Sequence, residues 1–288
     1  MEERNNMAIF WGLGVLFLGV LVFGIYLFLI TSHDEDFHVS FLDVGQGDGI
    51  LLSEGSLQIL IDGGRSAILL RERLADSLPW GDSNIEIILP THPDADHIGA
   101  LPEIARIYDI DLVMETDAVN DTGVYRSWKS IQEERSISRD VVRRGDRILF
   151  PGGSVAEILY PFDGEEKQGR DTNASSVVVR LDVGENTFLF TGDLPEEKEK
   201  FIDTQDIDVL KVSHHGSKSS TSDAFLDRIR PRDAIISVGS NAYGHPNNEV
   251  IKKLRRRDIR ILRTDDLGTI MYICKEGSAC EITKEKKR

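Results

Sequence analysis

Short apolar segments separated by glycine- and aspartate-rich turns fill the chain after residue 36, and this pattern constrains its fold more than any other feature. Segments of this length and composition are typical of β-strands. In the first half, the predicted strands are residues 39–44, 49–52, 57–61, 85–89 and 112–115. In the second half, they are residues 154–160, 176–183, 187–191, 209–212, 234–238, 261–263 and 269–273.

Segments with helical spacing of apolar residues lie between these strands. The predicted helices are residues 66–77, 101–108, 125–135, 196–203, 222–229 and 248–256. Two successive halves of strands with interspersed helices predict a mixed α/β (α+β) domain at residues 37–288. In such a domain two β-sheets pack face to face and helices cover their outer faces.

An uncharged apolar run occupies residues 7–30 and is long enough to cross a bilayer as a helix. No small-residue cleavage site follows it, so we predict an anchor rather than a cleaved signal peptide. Residues 1–30 would then form the N-terminal tail and transmembrane helix, and residues 31–36 a linker. Arg4 precedes the run and Asp34 to Asp36 follow it, which favours a single-pass protein with a cytoplasmic N-terminus and an extracytoplasmic domain.

The chain is acidic, with 49 acidic against 34 basic residues and a net charge of −15. The molecule as a whole therefore repels polyanions, and nucleic-acid binding requires a local basic patch. The candidate patch consists of Lys252, Lys253, Arg255, Arg256 and Arg257. The alternatives are a solvated helix face or a surface that faces anionic lipid headgroups.

The two cysteines, Cys274 and Cys280, flank a Gly-Ser turn between two predicted strands. Two interpretations are open. The cysteines form a disulfide across a hairpin in an oxidising compartment, or they are two unpaired thiols.

Five of the seven histidines lie in three places that each follow a predicted strand: His92 with His97, His214 with His215, and His245. Strand ends are where open α/β architectures gather functional side chains. In the run THPDADH at residues 91–97, imidazole and carboxylate groups are dense enough for a tight turn to bring them to one metal ion, at about 2 to 2.2 Å per bond. The alternative is an acidic turn that caps the following helix.

The run THPDADH resembles the HxHxDH signature of the metallo-β-lactamase superfamily, with Asp94 where a second histidine is more common. Other segments match this family in order: LIDGG at residues 60–64, FTGD at 190–193 and GHP at 244–246. Three runs also resemble the C-terminal hydrolase domain of ComEC-type DNA-uptake proteins. They are FLDVGQGD at residues 41–48, KVSHHGS at 211–217 and YGHP at 243–246.

The resemblance implies a metallo-β-lactamase αββα sandwich with two divalent metal ions, zinc or manganese, at one edge. Asp96, His97 and His245 would hold one metal, and His92 with Asp94 the other. Asp193 would bridge the two ions. Asp62 would orient the ligands without touching a metal, or it is a buried structural carboxylate.

The chain departs from the family pattern because no histidine lies between His97 and Asp193. Asn173 occupies roughly the place of the missing histidine, where it would ligate a metal, contact the substrate or cap a strand. Replacing imidazole by oxygen donors favours Mn²⁺ or a weakly held ion over tightly bound Zn²⁺. Asp48 and Ser217 are further candidates for metal or substrate contact.

Neighbouring residues of an extended segment point in opposite directions, so one of His214 and His215 is expected to enter the site unless the turn bends sharply. That histidine would complete the coordination of a metal, as we assign to His215, or donate a proton to the departing oxygen of the substrate. With Asp96 and Asp193, this pair makes up the predicted catalytic residues.

A two-metal centre activates water and acts as a Lewis acid, so the sequence predicts a metal-dependent hydrolase. The ComEC-type resemblance implies a phosphodiesterase or nuclease acting on DNA in competence-related uptake or scavenging. One anchor cannot form a DNA pore, so a role in uptake would need a separate channel protein. The alternatives are a hydrolase of another ester, such as a phosphocholine ester, a lactone or a cell-wall phosphodiester, and a non-catalytic DNA-binding module.

Overall fold

The computed structural model describes residues 11, 13–25, 36–79, 81–162, 171–275 and 277–284. Residues 11 and 13–25 are helical, and none of the helices within the described ranges combines the length and apolar character needed to cross a bilayer. The predicted anchor at residues 7–30 falls partly outside the described residues, so it stays a prediction. Residues 36–288 form a compact unit of their own, and this unit carries the site.

The first sheet has eight strands in the order β15-β14-β1-β2-β3-β4-β5-β6. Strands β1 to β3 pair antiparallel, and β3 to β6 pair parallel. The strands are β1 (Phe37–Phe41), β2 (Ile50–Glu54), β3 (Leu57–Ile61), β4 (Asn84–Leu89), β5 (Asp109–Glu115), β6 (Ser138–Val141), β14 (Ile270–Cys274) and β15 (Glu281–Lys284).

The second sheet has seven strands in the order β13-β12-β11-β10-β9-β8-β7. Strands β7 to β10 pair antiparallel, and β10 to β13 pair parallel. The strands are β7 (Arg147–Leu149), β8 (Val155–Tyr160), β9 (Val178–Val183), β10 (Asn186–Phe190), β11 (Val209–Lys211), β12 (Asp233–Ile236) and β13 (Arg260–Arg263).

Three apolar layers hold these sheets and the helices together. Phe41, Phe188 and Tyr272 belong to the layer between the two sheets. A second layer lies on the outer face of the first sheet and a third on the outer face of the second sheet. The helices are α1 (Ala67–Ser77), α2 (Ala95–Ile98), α3 (Leu101–Ile107), α4 (Gly123–Glu134), α5 (Asp223–Ile229), α6 (Asn248–Arg255) and α7 (Thr264–Leu267). The predicted mixed α/β sandwich is confirmed.

The sequence analysis missed two edge strands and the short helices α2 and α7, and one predicted helix has another conformation. The sequence analysis missed β6 and β7, each of which lies at one edge of its sheet and has mostly exposed side chains, as edge strands often do. The predicted helix at residues 196–203 is instead a 3₁₀ turn, Glu196–Phe201. The buried carboxylate of Glu199 accepts backbone hydrogen bonds from Thr221 and Ser222, which fastens this turn to the next loop.

Cys274 and Cys280 form a disulfide across the turn between β14 and β15, with their Cα atoms 4.1 Å apart. The sequence left open whether the two cysteines are bonded or are free thiols, and the structure contains the disulfide. The backbone N–H of Cys280 also donates to the side chain of Asn186, so this turn is tied to the start of β10.

The carboxyl ends of five strands carry the predicted site residues. Strands β3 and β4 end immediately before the runs that contain Asp62 and His92, and β10 and β11 end before the runs that contain Asp193 and His215. Strand β12 leads into the loop that contains His245. Because β3 with β4, and β10 with β11 and β12, run parallel within their sheets, each sheet brings its loops to one edge.

Candidate metal centre

Asp62 organises the first half of the site. It follows β3 with a left-handed backbone (φ 57°) and is fully buried. Its carboxylate accepts hydrogen bonds from the backbone N–H and the hydroxyl of Thr91, both at 2.7 Å. It also lies 2.8 Å from Nδ1 of His97. A carboxylate at this distance holds Nδ1 as the protonated nitrogen, so Nε2 of His97 is free to face a metal.

His92 and His97 lie side by side, with ring centroids 4.1 Å apart. Nδ1 of His92 is 3.0 Å from the Thr91 hydroxyl and 3.4 Å from the Ser176 hydroxyl. These contacts occupy Nδ1 of His92 as Asp62 occupies Nδ1 of His97. The Nε2 atoms of both rings are buried without a hydrogen-bond partner among the described residues.

Asp193 links the two halves of the site. Its backbone N–H donates to the Ser176 hydroxyl at 3.1 Å, which fixes the turn after β10. Its Oδ1 is 3.2 Å from Nε2 of His97, and its Oδ2 is 3.5 Å from Nε2 of His214 and 3.6 Å from Nε2 of His215. This carboxylate therefore reaches toward histidines from both sheets, as a bridging ligand must.

Both histidines of the His214–His215 pair turn toward Asp193. Each residue has a left-handed backbone (φ 51°), so this segment bends sharply instead of continuing as a strand. We expected only one of the two histidines to enter the site if the segment were extended. Because the segment bends sharply, both side chains face Asp193. Nδ1 of His215 lies 2.9 Å from the carbonyl oxygen of Ser237, which leaves Nε2 facing Asp96 and Asp193, each at 3.6 Å.

Among the described residues, four sets of three His, Asp or Glu side chains have ligand atoms within 4.8 Å of one another. They are His92, His97 and Asp193; Asp96, His97 and His215; Asp48, Asp193 and His215; and Asp48, Asp62 and His97. His97 belongs to three of these sets, and Asp48, Asp193 and His215 belong to two each. Because Nδ1 of His97 faces Asp62, its Nε2 can ligate one ion only, so two cations would divide these residues between them.

Unpaired buried atoms test whether these residues fit a metal. Nε2 of His92, His97 and His215 and Oδ1 of Asp193 are buried without a hydrogen-bond partner among the described residues. Buried polar atoms normally have a partner, so a cluster of such atoms facing one another fits the binding of a cation. The mixture of imidazole and carboxylate donors suits Zn²⁺ or Mn²⁺.

The charges of the site are strongly coupled. Burial alone would lower the pKa of His215, but the carboxylates of Asp193 and Asp48 outweigh burial and raise the pKa to about 9. Burial also opposes protonation of His97, yet Asp193 and Asp62 raise its pKa well above the usual value. Burial raises the pKa of Asp193, while His215 and His97 lower it well below the usual range. Without metal, the carboxylates hold protons on two of the histidines that would bind it.

Sequence reasoning did not single out Lys211. It is fully buried, and its Nζ lies 2.5 Å from Oδ2 of Asp48. Oδ1 of Asp48 is 3.3 Å from Nδ1 of His215. Asp48, predicted as a metal or substrate contact, is therefore bound by a lysine on one side and faces a candidate ligand on the other. The lysine lies inside the run KVSHHGS, but nothing in that run indicates which side chain is buried.

Asp94 and Asn173 border the His92 side of the site. Oδ1 of Asp94 accepts hydrogen bonds from Asn120 at 2.9 Å and Thr172 at 2.6 Å, and its Oδ2 is 3.8 Å from Nε2 of His92. Asn173 follows Thr172 in a 3₁₀ turn, and its Oδ1 is buried without a partner among the described residues. Asp94 belongs to none of the four ligand sets found among the described residues.

His245 lies beside the site and outside the four ligand sets of the described residues. Its ring centroid is 5.4 Å from that of His214 and 6.5 Å from that of His215. The structure thus places His215, rather than His245, with Asp96 and His97. Ser217, the remaining candidate, hydrogen-bonds Ser219 at 3.0 Å in the loop after His215.

The predicted basic patch is largely paired with nearby carboxylates. Three of its five members lie in ion pairs: Lys252 with Glu249, Arg256 with Asp223, and Arg257 with both Asp223 and Asp227. Lys253 donates to the carbonyl oxygen of Thr221 at 3.1 Å. The patch therefore presents less uncompensated charge than its sequence suggests, because the acids on α5 are distant in sequence and adjacent in space. DNA binding by these residues stays a prediction.

Comparison with known proteins agrees with this geometry. Residues 42–240 match the model of the metallo-beta-lactamase superfamily. The chain is 30% identical over 269 residues to "ComE operon protein 3" of Bacillus subtilis. The aligned region covers 85% of the chain and 34% of that protein. It is 28% identical to "Competence protein ComA" of Neisseria gonorrhoeae, covering 81% of the chain and 32% of that protein. The chain spans about a third of the length of these relatives.

Solved structures share the fold at low sequence identity. The metallo-beta-lactamase fold protein YhfI from Bacillus subtilis matches with a TM-score of 0.55 and 10% identity, covering 86% of this chain and all of that one. Igni18, a metallo hydrolase from Ignicoccus hospitalis, matches with a TM-score of 0.52 and 13% identity, covering 83% of this chain and all of that one. The matched segment, the relatives and the two-sheet architecture agree, and the chain belongs to the metallo-β-lactamase superfamily.

Proposed function

We propose that this protein is a metal-dependent phosphodiesterase that hydrolyses DNA in competence-related uptake or scavenging. The observation that carries the proposal is the buried Asp193 carboxylate, whose Oδ1 faces His97 of one ligand set and whose Oδ2 faces His215 of another. A paired metal centre suits a phosphodiester because two cations can stabilise both the attacking and the departing oxygen. The relatives with competence-related names favour DNA over other esters.

The residues have distinct tasks in this mechanism. His92, His97 and Asp193 would hold one ion, and Asp96, His215 and Asp193 would hold the second. When bound, the two ions supply an activated water and Lewis acidity. Asp62 fixes the ring of His97, and Asp48 with Ser237 fixes the ring of His215. His214 is a quarter exposed and borders the buried ligands, a position from which it can donate a proton to the departing oxygen.

We also propose that residues 7–30 anchor the protein in a membrane, with the hydrolase domain on the extracytoplasmic side. The length and apolar character of that run support an anchor. The Cys274–Cys280 disulfide supports the orientation, because structural disulfides persist in oxidising compartments.

The test is cleavage of single-stranded DNA by the full chain in detergent, with Mn²⁺ or Zn²⁺ added back after chelation. We expect metal-dependent cleavage, with kcat/KM lowered at least about 100-fold in His97→Ala and in Asp193→Ala. Asp121→Ala, which removes an exposed carboxylate in a surface ion pair, is the control and should cleave as the wild type does.

Two outcomes would replace the proposal. Turnover of a phosphocholine ester or a lactone, with no cleavage of DNA under either metal, would indicate a hydrolase of another ester. DNA binding without turnover of any of these substrates would indicate a non-catalytic module.

A further inference from the structure

The loop between β12 and α6 is built around one side chain. The amide nitrogen of Asn241 donates to the carbonyl oxygens of Gly239 and His245, both at 2.9 Å. Its amide oxygen accepts from the backbone N–H groups of Tyr243 and His245, both at 3.1 Å. These hydrogen bonds close residues 239–245 on themselves, so the loop has a defined shape although its tip is exposed.

Both ends of this loop are fixed to segments that carry site residues. A Cβ atom at Gly239 would lie 2.5 Å from the carbonyl carbon of Gly45, so the loop begins in close contact with the segment that leads to Asp48. At the other end, the backbone N–H of Asn247 donates at 2.8 Å to the carbonyl oxygen of Gly216, which directly follows His215. The position of the loop tip relative to the candidate metal centre is therefore set by the backbone.

The tip presents an aromatic ring to solvent beside the site. Tyr243 is 63% exposed, although its ring is large and apolar. Its centroid is 5.8 Å from that of His245, with the two planes tilted by 31°. The ring of His245 in turn lies 5.4 Å from that of His214, whose Nε2 is 3.5 Å from Asp193. A series of three rings thus leads from the bridging carboxylate to the surface.

We propose that Tyr243 forms a base-stacking subsite, which holds the nucleobase next to the phosphodiester being hydrolysed. This inference rests on the proposed function and deepens it. An exposed aromatic face binds any base by stacking, without regard to sequence, and the base must be unstacked from its neighbours to reach it. The subsite therefore selects single-stranded over duplex DNA, and the fixed loop means that little ordering accompanies binding.

The experiment compares Tyr243→Ala and Tyr243→Phe in the full chain on two substrates, an oligothymidylate and the same strand with abasic residues. Tyr243→Ala should raise KM for the oligothymidylate about 5- to 150-fold with little change in kcat, since stacking is lost equally from the bound substrate and the transition state. Tyr243→Phe keeps the ring and should behave as the wild type. On the abasic strand, Tyr243→Ala and the wild type should have the same KM.

Leu149→Ala is the matched control, because Leu149 is a similarly exposed apolar side chain, in β7 at the edge of the second sheet. It should leave KM unchanged on both strands. Thermal unfolding of each variant checks the fold. Removing an exposed ring at a loop tip should not change the melting temperature.

A second measurement separates this inference from the proposed function. A strand containing 2-aminopurine, added to metal-free protein, should lose fluorescence on binding to the wild type and to Tyr243→Phe but not to Tyr243→Ala. Quenching without cleavage under any metal would contradict the proposed function and support the subsite. Cleavage with equal KM for Tyr243→Ala and the wild type, or quenching that survives in Tyr243→Ala, would overturn the subsite.

Discussion

At the scale of single residues, the Asp48–Lys211 pair determines how His215 faces the candidate metals. Lysine is almost never fully buried unless it is paired, and here its partner is a carboxylate that is equally buried. That carboxylate and the Ser237 carbonyl both lie near Nδ1 of His215, so Nδ1 is the donor and Nε2 is left for a metal. Lys211 thus acts on the site through Asp48 and touches none of the proposed ligand atoms.

Removing the buried lysine charge should destabilise the domain. Lys211→Met keeps most of the side-chain volume but leaves Asp48 buried without its cation, which we expect to lower the free energy of unfolding by about 3 to 5 kcal/mol. The double variant Lys211→Met with Asp48→Asn removes both charges and should recover much of this loss. Urea unfolding of the metal-free protein measures both values.

The matched control for this prediction is Arg126→Met, which breaks an exposed ion pair with Asp121 and should cost less than about 1 kcal/mol. Equal stability of Lys211→Met and the wild type would show that the pair does not hold the site together. Metal titration of the same variants should show weaker binding in Lys211→Met, because the ring of His215 loses its orientation.

Candidate ligands are easier to recognise in the sequence than the residues that support them. His92, Asp96, His97, Asp193 and His215 come together because the types of side chain that bind metals stand at strand ends, which a pattern can reveal. Burial of a lysine depends on residues distant in sequence, and so does the pairing of the basic patch with the acids of α5. The entry of both His214 and His215 follows from a left-handed turn, which no periodicity signals.

At the scale of elements, the loop between β1 and β2 lies directly against the turn that carries Asp96 and His97. The backbone N–H of Asp48 donates to the carbonyl oxygen of Asp96 at 3.2 Å. Gly47 has φ 132°, and a Cβ atom on it would lie 2.1 Å from that same oxygen. Glycine is required here both for its backbone conformation and for the close approach of two backbones.

Gly47→Ala should therefore damage both stability and metal binding. Since the clash is with backbone, the loop and the turn must separate, and we expect a loss of about 2 kcal/mol or more in the free energy of unfolding. Metal affinity, measured by calorimetric titration, should fall because Asp96 and His97 move. Gly123→Ala, at a glycine with no heavy atom near the added Cβ, is the control. Metal affinity equal to that of the wild type would contradict the proposed link between loop and ligands.

Strands were predictable where burial makes them apolar, as in β3, whose predicted and observed bounds coincide. The edge strands β6 and β7 lack this signal because they are short and most of their side chains are exposed, although Ile148 of β7 is buried. Their pairing partners define them. The 3₁₀ turn at Glu196–Phe201 has the composition of a surface helix. Its conformation depends on the buried Glu199 and the loop to which it is bound, and that contact is absent from a local pattern.

At the scale of the whole molecule, the candidate metal centre connects the two sheets. Asp62, His92 and His97 follow strands of the first sheet, whereas Asp193 and His215 follow strands of the second. Bound cations would therefore stabilise the packing of one sheet on the other as well as the chemistry. In their absence, protonated histidines supply part of the positive charge that the buried carboxylates require.

This substitution of protons for metal gives the stability of the domain an unusual pH dependence. The pKa of His215 rises to about 9 in the folded chain, so its stabilising contribution is complete below about pH 6.5 and is lost as the pH rises toward 9. The raised pKa of His97 acts in the same direction. For the chelated protein, we expect the free energy of unfolding to fall by about 3 kcal/mol over this window from His215 alone.

Metal binding displaces these protons, so added Mn²⁺ or Zn²⁺ should stabilise the protein most at the upper end of the window. Urea unfolding between pH 6 and 9 measures the pH dependence with chelator and the stabilisation with metal. In the chelated protein, His215→Asn should make the free energy of unfolding less dependent on pH. A chelated wild type whose stability is constant across this range would show that the histidines are not held protonated by the carboxylates around them.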